Sequence, residues 1–134
     1  MTPELISKLL EKYPEQFKDL KHIECDDGWY DLLDKLFYVV KNRIDRAQRL
    51  NEPLDFGWTQ LKEKFSSLRA YSHGSDDYIN GAITMAESVS CMTCEVTGEK
   101  GKPRKKKIDE AGEIVPAWVK TLSDSEAQKQ GYVL

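Results

Sequence analysis

The chain lacks any apolar run near the roughly 18 residues that a membrane-spanning helix needs. Histidine is almost absent: among 134 residues there are only His22 and His73. Cysteine is scarce and odd in number, with Cys25, Cys91 and Cys94. An odd set of thiols argues against a disulfide framework and for reduced cysteines. The opening residues Met1–Leu5 show neither a basic nor an apolar leader pattern. The expected compartment is therefore the cytoplasm. No Gly-rich phosphate loop, HExxH pair or nucleophile beside a base occurs, so no catalytic constellation stands out. Internal repeats are absent too.

What the chain has is charge and one long periodic stretch. At 40% hydrophobic and 32% charged residues it can bury a core of ordinary size. The net charge of −3 argues against wholesale nucleic-acid binding. Its distribution is uneven. Residues 1–34 carry nine acids against four lysines, whereas residues 100–107 carry six bases and no acid.

The hub of the sequence is the stretch Ile23–Leu33, an acidic, glycine-containing lead-in to the longest helix. Trp29, Leu33, Leu36, Val40, Ile44 and Ala47 form its apolar stripe, widened by Leu32, Phe37 and Leu50. Asp26 or Asp27 is expected to cap it, with acids early and Lys41, Arg43, Arg46 and Arg49 late, as the helix dipole favours. Before it, Thr2-Pro3-Glu4 starts a helix whose face is Ile6, Leu9, Leu10 and Tyr13, and Pro14 ends it. After it, residues 58–64 fit strand and helix periodicities alike. Residues 66–72 read as a strand. Ser75-Asp76-Asp77 caps a further helix with face Ile79, Ala82, Ile83, Ala86 and Val89. From residue 91 a hairpin is expected, with one arm near Glu95–Thr97, a basic loop over 98–107 and a return arm over Ile114–Leu122. Ser123–Ala127 then opens a last helical turn. The fold class is α+β, divided into a helical α+β core (residues 1–90) and a ribbon-like hairpin appendage (residues 91–134).

Three constellations carry candidate chemistry. Cys91 and Cys94 form a CxxC, the weak metal candidates of the chain. Zinc takes four ligands, and no Cys or His follows Cys94, so no cofactor is expected. The bases Lys100, Lys102, Arg104, Lys105, Lys106 and Lys107 would attract phosphates without reading sequence. No aromatic residue is interleaved with them, so base stacking is not indicated, and nucleic acid is the less favoured partner. His73, Asp76 and Asp77 are the residues of a third reading, a small metal-dependent enzyme, although helix capping accounts for both acids.

Four segments occur in a distinctive order: Ile23–Leu33 (Ile-Glu-Cys-x-Asp-Gly-Trp-Tyr-Asp-Leu-Leu), Leu61–Tyr71, Thr93–Gly98 and Ala117–Leu122. This order resembles an uncharacterised family of small proteins of phages, prophages and bacterial genomes, over roughly residues 20–127. The resemblance implies a zinc-ribbon-like C-terminal part. Cys94 falls on the first ligand position, Thr97 and Ser123 on the second and third, and Glu126 or its neighbour on the fourth. A degenerate ribbon without its metal is expected, held by Trp118, Val119 and Leu122. The resemblance also implies a bacterial-host setting and action by binding a host or phage protein, such as inhibition of a defence or nuclease system. Asp26, Asp27, Trp29 and Tyr30 are the expected partner-binding residues.

Overall fold

Residues 1–134 are described by a computed structural model. Helix α1 (Pro3–Lys12) starts on a proline at its first position and buries Leu9. A 3-10 turn over Pro14–Gln16 follows. Gln16 is buried there and fully used: its Nε2 donates to Phe37 O at 2.8 Å, and its Oε1 accepts from Trp58 Nε1 at 2.9 Å. One amide thus links the turn to two later elements and leaves no buried polar atom of its own unpaired.

Helix α2 (Tyr30–Arg49) buries Leu33, Leu36, Phe37, Val40, Ile44 and Ala47, the expected stripe. Neither Asp26 nor Asp27 caps it. A 3-10 turn over Asp27–Trp29 precedes the helix and satisfies its own amides, with Trp29 N on Asp26 O and Tyr30 N on Asp27 O. The Asp26 side chain makes no capping bond, and Asp27 Oδ1 instead accepts Thr2 N at 2.7 Å. At the other end Asn51 adopts φ 53°, and Glu52 N closes on Ala47 O, a helix stop of the left-handed kind.

Residues 58–64, which periodicity left open, are strand. β1 (Gly57–Lys64) pairs antiparallel with β2 (Ser67–His73), from Gly57↔His73 to Lys64↔Ser67. The lead-in adds one parallel rung: Glu24 N bonds Leu61 O and Glu63 N bonds Glu24 O. The other side of β2 meets α3 (Asp77–Ser90) rather than a strand. Ser90 Oγ accepts Leu68 N at 2.8 Å and Glu87 Oε2 accepts Ala70 N at 3.2 Å. Side chains of a helix thereby cover the amides of an edge strand. Asp76 caps α3 as expected, accepting Ile79 N at 2.9 Å, and also binds Arg43 Nε at 2.6 Å. These elements enclose a core of 19 buried residues, in which Trp58 is ringed by Phe37 and Phe56.

In the C-terminal part the basic segment is not a loop. Lys102–Ile108 is strand β3, paired antiparallel with β4 (Ile114–Leu122), the expected return arm. The loop is the tip at residues 109–113, where Asp109 Oδ1 accepts Ala111 N and Glu113 N. Glu95–Thr97 is a turn, not a strand. Helix α4 (Asp124–Lys129), capped by Ser123, follows. Cys94, Leu122, Ala127 and Tyr132 make a second, small buried cluster. No helix is long and apolar enough to cross a membrane.

Candidate functional site

The two most distinctive sequence segments meet at one joint. Gly28 N donates to Glu95 O at 2.7 Å, Asp26 N to Glu95 Oε2 at 3.1 Å, and Trp29 Nε1 to Thr93 O at 2.9 Å. The amino terminus of Met1 donates to Cys25 O. The approach is backbone to backbone: a Cβ on Gly28 would stand 2.4 Å from both Cys94 O and Glu95 O. Trp29 is accordingly 0% exposed. That corrects its expected place as a surface anchor, because the indole fills the core beneath the joint. Asp26 is exposed, while Asp27 and Tyr30 are half-buried.

Glu95 is the electrostatic centre of the joint. Burial, reinforced by the charge of Asp26, pushes its carboxyl up from 4.5 to about 7, and the Asp26 amide only partly offsets this. Burial likewise pushes the Cys25 thiol up to about 12, which keeps it an inert apolar group.

Cys91 and Cys94 do not act as a pair. Cys91 Sγ is turned back to Glu87 O at 3.7 Å. Cys94 is buried beside Thr97, whose N–H lies 3.5 Å from the sulfur. Burial alone would raise the Cys94 thiol. The Thr97 hydroxyl and the amides of Ser123, Thr97 and Val96 outweigh it and hold the thiol below its ordinary value. Three of the four positions implied by the resemblance, Cys94, Thr97 and Ser123, are thus neighbours. No group of three or more His, Cys, Asp or Glu side chains converges as a metal site would require.

The bases of residues 100–107 divide. Arg104 is 3% exposed, its Nε and Nη2 on Leu122 O and its Nη2 on Asp124, so it is a structural cation rather than a phosphate contact. Lys107 lies over the Tyr132 ring at 4.6 Å. Lys100, Lys102, Lys105 and Lys106 are exposed. The third set does not assemble: Asp76 is engaged by Arg43 and Ile79 N, and His73 Nε2 is 3.9 Å from Asp19.

The feature that sequence reasoning missed is a groove between α2 and α3. The helices run antiparallel, since Trp29 touches Thr93 at one end while Arg43 pairs with Asp76 at the other. Between them lies an open apolar groove of about 690 Å3. Leu32, Leu36 and Val39 form one wall; Tyr78, Ala82, Met85 and Val89 form the other. Asp31 and Lys35 are its only charged lining residues, and neither takes part in an ion pair. Helix α3 carries just two charges, and one of them, Glu87, is bonded to β2. Its outer face is therefore nearly uncharged in a chain that is 32% charged, and Met85 on it is 67% exposed. Gly81 lies in the groove, and a Cβ there would meet nothing within 4 Å. The sequence signal was present: a small-sided α3 face next to exposed Tyr78 and Met85. Compared with known proteins, the chain matches no family model, no curated protein and no solved structure.

Proposed function

We propose that the protein acts by binding another protein, which lays an apolar helix or segment into the groove between α2 and α3. The observation that carries this reading is Gly81. A glycine in a helix interior costs about 1 kcal/mol relative to alanine, and no neighbour within the fold requires it. Its absent side chain instead leaves part of the wall of an apolar groove open. Helix-in-groove recognition uses such a surface, read by side chains at helical spacing. The groove of about 690 Å3 is of the size that takes a few anchoring side chains. Asp26 and Asp31, near the Gly28 end, suit a partner with basic residues flanking its apolar face. The motif resemblance supports a phage- or prophage-type protein whose partner is a host or phage protein, and inhibition of a defence or nuclease system is the form of action it suggests.

The test compares wild type with Gly81→Leu and Met85→Lys in parallel affinity captures from bacterial lysate. A side chain added at position 81 would project into open space and Met85 is exposed, so both variants are expected to fold. A stoichiometric protein retained by wild type and lost from both variants is the expected result. Partners held equally by all three proteins would remove the groove from consideration.

A further inference from the structure

The face that carries the basic strand shares no residue with the groove, and the fold gives it what the sequence did not display. Trp118 of β4 is 61% exposed, and Phe65, from the β1–β2 turn, is 58% exposed. Their rings are stacked, with centroids 6.0 Å apart and planes inclined by 24°. The pair is held in place. Glu63 Oε1 accepts Ser66 N at 2.9 Å, and Thr121 Oγ1 donates to Ser66 O at 2.7 Å, docking the turn against β4. Phe65 itself has φ 51°, a left-handed conformation that glycine or asparagine adopts far more readily. Apart from its stack on Trp118, the Phe65 ring is exposed to water at a strained backbone position.

One cation lies against this pair, and two more are exposed on the strand paired with β4. Lys64 Nζ lies 5.6 Å from the Phe65 ring centre. Lys106 pairs across the hairpin with Pro116, two residues before Trp118, and the register shifts between Lys106 and Arg104. Lys105 is exposed at the bulge between them. Lys64, Lys105 and Lys106 are in no ion pair. One acid lies beside the pair: Glu63 accepts Ser66 N and, like the lysines, is in no ion pair, while Asp109, Glu110 and Glu113 lie at the hairpin tip.

We infer that this face binds single-stranded nucleic acid, with a base stacked on the Phe65–Trp118 pair and the backbone phosphates against Lys64, Lys105 and Lys106. Open aromatic rings beside unpaired cations are the two components of sequence-tolerant single-strand binding. A duplex, whose bases are already stacked, would use only the cations. A protein partner would use the rings without needing the unpaired lysines.

Tryptophan fluorescence reads the site directly, because Trp29 and Trp58 are fully buried and Trp118 is the one exposed indole of the three. A short labelled oligothymidylate at low salt is expected to quench the tryptophan emission and to raise the label's anisotropy. Trp118→Ala should weaken binding roughly ten-fold or more, the loss of a stacked base. Substituting Lys64, Lys105 and Lys106 together by Ala should flatten the slope of log affinity against log salt by roughly two. Phe65→Asn separates binding from folding: it should relieve the turn and keep or raise the melting temperature while weakening the oligonucleotide. The inference is overturned by no anisotropy change at low salt, by unchanged affinity in Trp118→Ala and Phe65→Asn, or by a duplex binding more tightly than the single strand. A protein complex that needs Trp118, together with no oligonucleotide binding, would overturn it in favour of a protein partner.

Discussion

Two glycines show how differently the same residue type is used. Gly28 is required by its neighbours: a Cβ there would stand 2.4 Å from two backbone carbonyl oxygens, which cannot rotate away as a side chain can. Gly28→Ala is expected to force the lead-in off the Cys94–Glu95 turn and to destabilise the protein by about 1–3 kcal/mol, the usual scale of overpacking. Gly81 meets nothing, and Gly81→Ala should stabilise by about 0.5–1 kcal/mol through helix propensity alone. Urea denaturation of the two variants should therefore give shifts of opposite sign. A loss of stability in Gly81→Ala would show that the glycine is needed inside the fold, not kept open for an external occupant.

At the scale of elements, the interface between β2 and α3 is where a small change should matter most. Leu68 N is buried, and its one partner is Ser90 Oγ, which in turn donates to Glu87 O. Ser90→Ala leaves that amide without a partner and should cost about 1–3 kcal/mol, measurable as a lowered urea midpoint with an unchanged slope. An unaltered midpoint would show that the edge amide finds another acceptor. This bond could not be read from the sequence, because a serine at the end of a helix gives no hint of a strand 22 positions away. The same limit holds for other elements. Helix α2 was legible because a single stripe of buried residues repeats over 20 residues. Strand β1 was not, because Trp58, Leu61, Phe65 and Leu68 happen to fall at helical spacing. Three of them are core residues from two paired strands and the fourth is the exposed tip of their turn. That turn is Phe65-Ser66, without the glycine or asparagine that usually announces a tight hairpin. The run of bases looked like a solvated loop. What makes it a strand is its pairing with β4 and the burial of Arg104 against Asp124, contacts that link positions up to 20 residues apart. The candidate groove was half legible, as a small-sided face on α3; its openness depends on how α2 is placed beside that face, and no local pattern encodes that.

For the molecule as a whole, Glu95 couples the lead-in to the C-terminal part, and its protonation should set how stability varies with pH. Its backbone N bonds Thr121 O, its carbonyl accepts Gly28 N, and its side chain accepts Asp26 N. Its carboxyl is raised from 4.5 to about 7 in the folded protein, first by burial and then by the charge of Asp26. Between those two values the folded state binds more protons than the unfolded chain, so stability must fall as pH rises through this range. The contribution is fully present below 4.5 and gone above about 7, a difference of up to roughly 3 kcal/mol. Asp34, Asp76 and Asp124 are shifted the other way. Burial opposes ionisation of Asp34 and Asp76, but Tyr13 and Lys12 for the first, and the Ile79 amide and Arg43 for the second, outweigh it. Arg104 holds Asp124 down. Their stabilisation is lost as pH falls below the ordinary carboxylate range of 3.8. Opposite slopes on the two sides place maximal stability in the mildly acidic range. Glu95→Gln keeps a carbonyl to accept Asp26 N and removes the ionisation. It should match wild type near about pH 5 and exceed it near about pH 8 in urea midpoint, with the difference between the two pH values largely abolished. If Glu95→Gln retains the wild-type fall in stability between those pH values, the buried carboxylate is not its cause, and the joint between the two parts is held by its backbone bonds alone.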